Sequence, residues 1–183
     1  MIQSQTAAPH IVALGGTGRA QSSTGAALAR ALAIAESRGA RTTLLTGDAI
    51  AFPNFEPGQT ATDPTLAAFL AALRSADGII IGSPGYHGTF SGLVKNALDH
   101  VELMSGDERP YFHGLPVGHI ATAAGWQAAV ATLIGLRSIT HALRGWPTPL
   151  GVAINTAEGP DAIDRAESQL TIMVDQMFDF LRR

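Results

Sequence analysis

The residues with the clearest potential for chemistry form a run of glycines and hydroxyl-bearing side chains after the first apolar segment. The run reads GGTGRAQSST over residues 15–24. Glycine lets a ligand approach the backbone, and unpaired N–H groups at a helix start attract an anion. Arg19 adds a cation that can clamp phosphate oxygens. The run therefore predicts a site for a single phosphomonoester; the alternative is an ordinary strand-to-helix turn with Ser or Thr as the helix N-cap.

Two familiar nucleotide motifs do not fit this run. In the dinucleotide fingerprint G-x-G-x-x-G, Gly16 and Gly18 would have to be followed by a glycine where Gln21 stands. No Gly-Lys-Ser/Thr sequence follows either, so the run is not a P-loop.

A second candidate segment, SPGYHGT over residues 83–89, follows the apolar run Ile79–Ile81. A planar heterocycle needs a flat wall and exposed backbone for its polar edge. Pro84 and Tyr86 can supply the wall, and glycines leave the backbone accessible. The segment is therefore interpreted as the loop that holds the face of a flavin, against the alternative of a hydrogen-bonded turn with Tyr86 packed over it.

A third candidate segment, TAAGW over residues 122–126, ends another apolar run. Its small residues would let a ring approach the backbone. The sequence leaves three roles open for Trp126: a wall of the pocket, an interface residue or a core residue.

Other kinds of catalytic site are disfavoured. The chain has no cysteine, which excludes disulfides and a thiol nucleophile. Its six histidines show neither H-x-x-x-H nor H-E-x-x-H spacing, and Ser22 and Ser91 are not in a G-x-S-x-G elbow. Lys95 and Asp99 have the spacing of a solvated helical ion pair. We therefore predict no metal site, and no side chain is assigned as acid, base or nucleophile.

Composition indicates one globular domain over residues 1–183. The chain is 46% hydrophobic and 15% charged, with a net charge of −3, so nucleic acid and anionic membranes are not expected as partners. The N-terminal MIQSQTAAPH lacks the features of a signal peptide, and no apolar run approaches the length of a membrane span. The expectation is a soluble, cytoplasmic protein.

Apolar runs and helical periodicity alternate along the chain. Helices are predicted at residues 23–38, from the N-cap Asp63 and Pro64 onward, at 90–101, at 126–144 and after Gly159-Pro160. Strands are predicted at residues 10–15, 41–46, 77–83, 115–123 and 148–154.

This order of β-α units indicates a doubly wound α/β domain with right-handed crossovers. Ligands in such domains bind at the carboxyl ends of the strands. The loops at 15–24, 82–92 and 122–126 all follow strand ends and should converge on one edge of the sheet.

Together these segments resemble the NAD(P)H-dependent FMN reductase family. The strongest match is SPGYHGTFSGLVKNALDH, whose Gly92, Lys95 and Asp99 fall on the family's G-x-L-K-x-x-L/I-D pattern. Arg19 and neighbouring hydroxyl residues resemble the family's phosphate loop, although Gly16 stands where serine is usual. The segment TAAG resembles its third flavin loop.

The resemblance implies a flavodoxin-like three-layer fold with a five-stranded parallel sheet in the order 2-1-3-4-5. It implies FMN as cofactor and NADPH or NADH as electron donor. Acceptors would be free flavin, quinones, azo compounds or a partner monooxygenase. The residues predicted to bind the cofactor are Gly16, Thr17, Arg19, Ser22, Ser23, Thr24, Pro84, Gly85, Tyr86, His87, Gly88, Thr122, Ala124 and Gly125.

Family members form dimers or tetramers through the helices after strands three and four, and the charge-poor run Ala128–Ala142 fits such an interface. In family members that use FMN as a diffusible substrate, an extra tyrosine bulges the helix after the fourth strand. No tyrosine occurs between Trp126 and Arg144, so the resemblance favours FMN as a retained prosthetic group. Two other functions remain open: a flavodoxin-type electron carrier that does not oxidise nicotinamide, and a flavin-free α/β protein.

Overall fold

The fold was analysed in a computed structural model that describes residues 7–19 and 21–182. Residues 1–6, on which the expectation of no signal peptide partly rests, and Ala20 of the first loop lie outside the described residues. The strands are β1 His10–Gly15, β2 Arg41–Leu45, β3 Gly78–Tyr86, β4 Thr89–Phe90, β5 Pro116–Ala123, β6 Trp146–Pro147 and β7 Val152–Asn155.

The sheet has the predicted order. Strands run β2-β1-β3-β5, and β6 and β7 both pair with β5 to complete the fifth position. All of these pairs are parallel. The carboxyl ends of the strands therefore meet at one edge of the sheet, as the alternation of strands and helices predicted.

The fifth strand is interrupted, whereas the sequence predicted a continuous strand at 148–154. Two short pieces, β6 and β7, flank residues 148–151. Pro147 and Pro149 have no backbone N–H to give to a ladder, which confines this segment to the sheet border. The Leu150 N–H is instead bonded to the Gln176 side chain at 2.8 Å.

Six α-helices surround the sheet in the described part of the chain. Their bounds are α1 Ser23–Ser37, α2 Pro64–Arg74, α3 Gly92–Asp99, α4 Trp126–Ala142, α5 Ala162–Arg165 and α6 Glu167–Leu181. Asp63 caps α2 as predicted, because its carboxylate accepts from the N–H groups of Thr65 and Leu66.

Two helices differ from the prediction. The helix expected at 90–101 ends as α3 at Asp99 and continues as a 3₁₀ turn, His100–Met104. Here the His100 ring N–H donates to Asn96 O at 2.8 Å, beside the His100 backbone N–H that bonds to the same carbonyl. The single last helix is split into α5 and α6, because the Ala166 N–H bonds only three residues back, to Ile163 O, and tightens the chain there.

Each face of the sheet has its own hydrophobic core. On one face, α1 and α6 pack against the strands through buried residues such as Leu28, Leu32 and Met173. On the other face, α2, α3 and α4 enclose Phe69, Phe112 and Leu136. In the described part of the chain, no helix has both the length and the apolarity that membrane crossing requires.

A buried histidine makes the stability of this fold depend on pH. His119 lies fully buried in β5, and its Nε2 is 2.7 Å from Thr140 Oγ1. Burial lowers the pKa of His119 from 6.5 to about 3. Burial also lowers the pKa of His10. Because folding disfavours the charged form of both rings, the unfolded chain gains protons first as the pH falls.

We therefore expect the free energy of unfolding to be constant at pH values above the histidine pKa of the unfolded chain, and to decrease as the pH falls below that pKa. His119 alone should lower the free energy of unfolding by about 2 kcal/mol between about pH 7.5 and about pH 5. Urea unfolding at both pH values measures this loss, and His119→Gln should reduce it. The exposed His113→Gln is the matched control. An equal loss in wild type and His119→Gln would contradict the assignment.

Candidate functional site

The three predicted loops meet at the carboxyl edge of the sheet and enclose a cavity of about 400 Å³. The residues that line it come from four strand ends and the start of α1. They are Thr17, Arg19, Gln21, Ser22, Ser23, Thr24, Pro84, Gly85, Tyr86, Thr122, Ala123, Ala124 and Thr156.

The first loop leaves β1 in close contact with β3. Gly15 and Gly16 have φ angles of 136° and 95°, and the Gly16 N–H bonds to Gly82 O at 3.1 Å. These glycines bend the chain away from the sheet immediately before the hydroxyl-rich segment. The bend positions Thr17 and Arg19 at the cavity.

The N-terminus of α1 is open toward the cavity. Ser22 is its N-cap, and its hydroxyl accepts from the Gly25 N–H at 3.0 Å. The other N–H groups of a first turn have no intrahelical partner. No acidic residue stands in this turn, and the Arg19 side chain lies beside it at the cavity wall. The partial positive charge of a helix start together with a nearby guanidinium favours an anion over a cation at this position.

The second segment is a β-hairpin, although the sequence predicted a loop. Strand β3 continues to Tyr86 and pairs antiparallel with β4, so that Tyr86 faces Thr89. The two turn residues, His87 and Gly88, have φ angles of 49° and 93°, as a type I′ turn requires. The hairpin presents Pro84, Gly85 and a half-exposed Tyr86 to the cavity.

Two contacts hold this hairpin in place. The Ser83 hydroxyl donates to Pro84 O and accepts from the Ser91 N–H, each at 2.9 Å. Gly85 backs directly onto α4, where an added Cβ would lie 2.8 Å from Thr132 Oγ1. Gly85 therefore gives the backbone room to lie between the cavity and the helix.

The third loop is joined to the first by a buried hydrogen bond. The hydroxyls of Thr24 and Thr122 lie 2.6 Å apart although the residues are 98 positions apart in the chain. After Ala124, Gly125 adopts a φ of 150° and begins α4. The exposed side chain of Trp126 excludes the core role that the sequence left open.

Most of the predicted site residues line the cavity, but four do not. Gly16 bends the chain behind it, His87 and Gly88 lie at the exposed tip of the hairpin, and Gly125 caps α4. Three lining residues were missed: Gln21, Ala123 and Thr156. Thr156 follows the fifth strand directly, so the rule that ligands lie at strand ends could have identified it.

The cavity carries little ionisable chemistry. In the part of the chain that the structure describes, Arg19 and Tyr86 are the only cavity-lining residues with titratable side chains. Lys95 and Asp99 form the predicted helical ion pair at 2.6 Å and do not line the cavity. Within the described residues, no three His, Asp or Glu side chains cluster closely enough to hold a metal ion. The arrangement can bind and orient a ligand but has no paired acid and base.

The sequence matches known proteins in the region that builds this cavity. The profile of a family described as NADPH-dependent FMN reductase matches residues 9–159. The FMN-dependent NADPH-azoreductase of Staphylococcus aureus strain USA300 is 34% identical over 115 residues, or 58% of this chain and 57% of the relative. The chain thus spans little more than half the length of that relative.

Solved structures share the fold at lower identity. The flavoenzyme NAD(P)H:(acceptor) oxidoreductase of Paracoccus denitrificans superposes with a TM-score of 0.74 at 21% identity, over 95% of this chain and 97% of that one. A flavodoxin of Pseudomonas aeruginosa superposes with a TM-score of 0.63 at 13% identity, over 92% of this chain and 99% of that one. At these identities the similarity establishes the flavodoxin-like fold.

Proposed function

The chain belongs to the NADPH-dependent FMN reductase family, and we propose that it is an FMN-containing oxidoreductase that passes electrons from NAD(P)H to a small-molecule acceptor. The observation that carries this proposal is the convergence of an anion-binding helix start and a small-residue wall on one cavity. Both ends of FMN, its phosphate and its ring, find suitable partners there.

The phosphate end fits the first loop. Arg19 supplies a cation, Thr17, Ser22, Ser23 and Thr24 supply hydroxyls, and the start of α1 supplies N–H donors. Among the described residues that line the cavity, none has a carboxylate that would repel an anion.

The ring end fits the hairpin and the third loop. Pro84 and Tyr86 offer flat apolar surface, and Gly85 and Ala124 leave backbone groups within reach of a polar ring edge. Bound FMN would supply the redox chemistry, which explains why the lining residues need no nucleophile or acid–base pair. The role of the protein would then be to bind the cofactor and orient it.

A flavodoxin-type electron carrier is the second candidate, favoured by the shared fold with the Pseudomonas aeruginosa protein. The two functions differ in one reaction, the oxidation of nicotinamide. The purified protein should be loaded with FMN and mixed anaerobically with NADPH and, separately, with NADH. Loss of the visible absorption band of the flavin supports the enzyme.

The other outcomes of this experiment are equally informative. Tight FMN binding without bleaching by either nucleotide would establish the carrier instead. No binding of FMN at micromolar concentration would end both proposals. A panel of free flavin, quinone and azo acceptors then identifies the class of acceptor. A partner monooxygenase and a cytoplasmic location stay predictions.

We also propose that the protein forms a homodimer or homotetramer through α4. Trp126, Val130 and Ile134 recur every fourth residue and are 50%, 45% and 63% exposed. This apolar stripe lies on the helix that packs against the hairpin of the cavity, through Gly135 and Phe90. Burial of such side chains contributes about 1.5–3 kcal/mol each.

The double substitution Val130→Asp and Ile134→Asp should therefore convert the oligomer to a monomer at micromolar concentration, because it places two charges in an apolar contact. Sedimentation velocity measures the change. Ile172→Asp, at another exposed isoleucine, on α6, is the matched control and should leave the mass unchanged. A wild-type monomer at the same concentration would refute the interface.

A further inference from the structure

Trp126 makes a specific polar contact despite its exposed ring. Its Nε1–H donates to Glu158 Oε1 at 2.7 Å, across 32 residues of chain. The indole therefore reaches from the start of α4 to the segment that follows β7. An apolar interface role alone does not explain this hydrogen bond.

Glu158 is the centre of a small network on that segment. Its Oε1 also accepts from Asn155 Nδ2 at 3.4 Å, and its backbone carbonyl accepts from the Arg165 guanidinium at 3.1 Å. The Asn155 side chain in turn accepts from the Ala157 N–H at 3.1 Å. These bonds fold residues 155–158, the fourth loop, into a compact turn attached to α4 and α5.

The register of the sheet brings this fourth loop beside the third. Ala123 on β5 pairs with Asn155 on β7, so the two chains leave the sheet side by side. Ala124 and Thr156, the next residues on each chain, both line the cavity. Trp126 stands two positions after Ala124, and Glu158 two positions after Thr156. The hydrogen bond between Trp126 and Glu158 therefore joins the third and fourth loops on one side of the cavity.

We propose that Trp126 and Glu158 are positioning residues that hold the third and fourth loops together as a single wall against the flavin ring. The inference rests on the proposed FMN site. Neither residue lines that cavity; each acts through the small residue two positions before it. Breaking the bond should let both loops move and weaken contacts to the ring, which FMN and riboflavin share.

The test is a titration of flavin-free protein with FMN and, separately, with riboflavin. Trp126→Phe keeps an aromatic ring but removes the N–H, and Glu158→Ala removes the acceptor without altering the apolar stripe. Each should weaken both flavins by about five- to tenfold, the effect of one hydrogen bond. The visible circular dichroism of the bound flavin should change in both variants, because the ring lies against a displaced wall.

The double variant separates a shared bond from two unrelated effects. If the residues act through their mutual hydrogen bond, the double variant Trp126→Phe/Glu158→Ala should bind flavin as tightly as whichever single variant has the lower affinity. Trp146→Phe is the matched control, since Trp146 is 60% exposed and pairs with Pro116 at the opposite end of the strands. It should leave flavin affinity unchanged.

The failure of this inference is distinct from failure of the proposed function. Wild-type protein that binds no flavin would overturn both. Wild-type binding together with unchanged affinity in Glu158→Ala would overturn the inference alone. Losses that add in full in the double variant would also overturn it. Far-ultraviolet circular dichroism verifies that each variant folds. If Trp126→Phe does not fold, the flavin affinities of Glu158→Ala and Glu158→Gln test the inference instead.

Discussion

Gly15→Ala is expected to destabilise the protein by about 4 kcal/mol or more, one of the largest effects of a single methyl group. A Cβ at this position would lie 1.8 Å from Gly82 O, in the backbone of the adjacent strand. The φ of 136° is itself one that side chains rarely adopt. Both the steric overlap with Gly82 O and the unfavourable φ involve the backbone. No side-chain rotation can therefore relieve them, and β1 must separate from β3.

Urea unfolding measures this loss, and Gly18→Ala is the matched control. Gly18 belongs to the same loop, but a Cβ there would meet nothing within 4 Å. Its substitution should change the free energy of unfolding by less than about 0.5 kcal/mol. If Gly15→Ala were as stable as Gly18→Ala, the close approach of β1 and β3 would be wrong.

Arg19→Ala should weaken FMN binding by about 1.5–3 kcal/mol, or about 10- to 150-fold, the usual range for a charge-assisted hydrogen bond. The exposed guanidinium stands at the cavity beside the start of α1. Riboflavin has no phosphate, so its affinity should change much less. Fluorescence titration with the two flavins measures the difference.

Arg41→Ala provides the control for loss of one positive charge. Arg41 is exposed and starts β2 opposite His10, at the other end of the strands. Its removal should leave both affinities unchanged. Equal losses of FMN and riboflavin in Arg19→Ala would refute the contact with phosphate. The comparison also distinguishes Arg19 from Trp126, whose substitution should affect both flavins alike.

Patterns within short stretches of sequence predicted much of the fold. Apolar runs marked the strands, and Asp63 marked a helix start because an N-cap depends on residues only two or three positions away. The order of strands followed from the family resemblance and agrees with the structure. The edge of the sheet at which the loops meet followed from the alternation of strands and helices alone.

Contacts between distant segments account for what was missed. The hairpin at Tyr86–Thr89 depends on the close packing of Gly85 against Thr132 of α4. The interruption of the fifth strand similarly depends on Gln176, which comes from α6. Periodicity in a short window carries no information about such partners.

The sequence by itself determined the β-α order, the residue types of the first loop and the edge of the sheet at which the loops meet. Only the tertiary structure decided which residues face the cavity, since that depends on the register of strands far apart in the chain. It removed Gly16, His87, Gly88 and Gly125 from the lining and added Gln21, Ala123 and Thr156. The hydrogen bond between Thr24 and Thr122 shows the reason: these hydroxyls meet only because packing of the sheet brings them together.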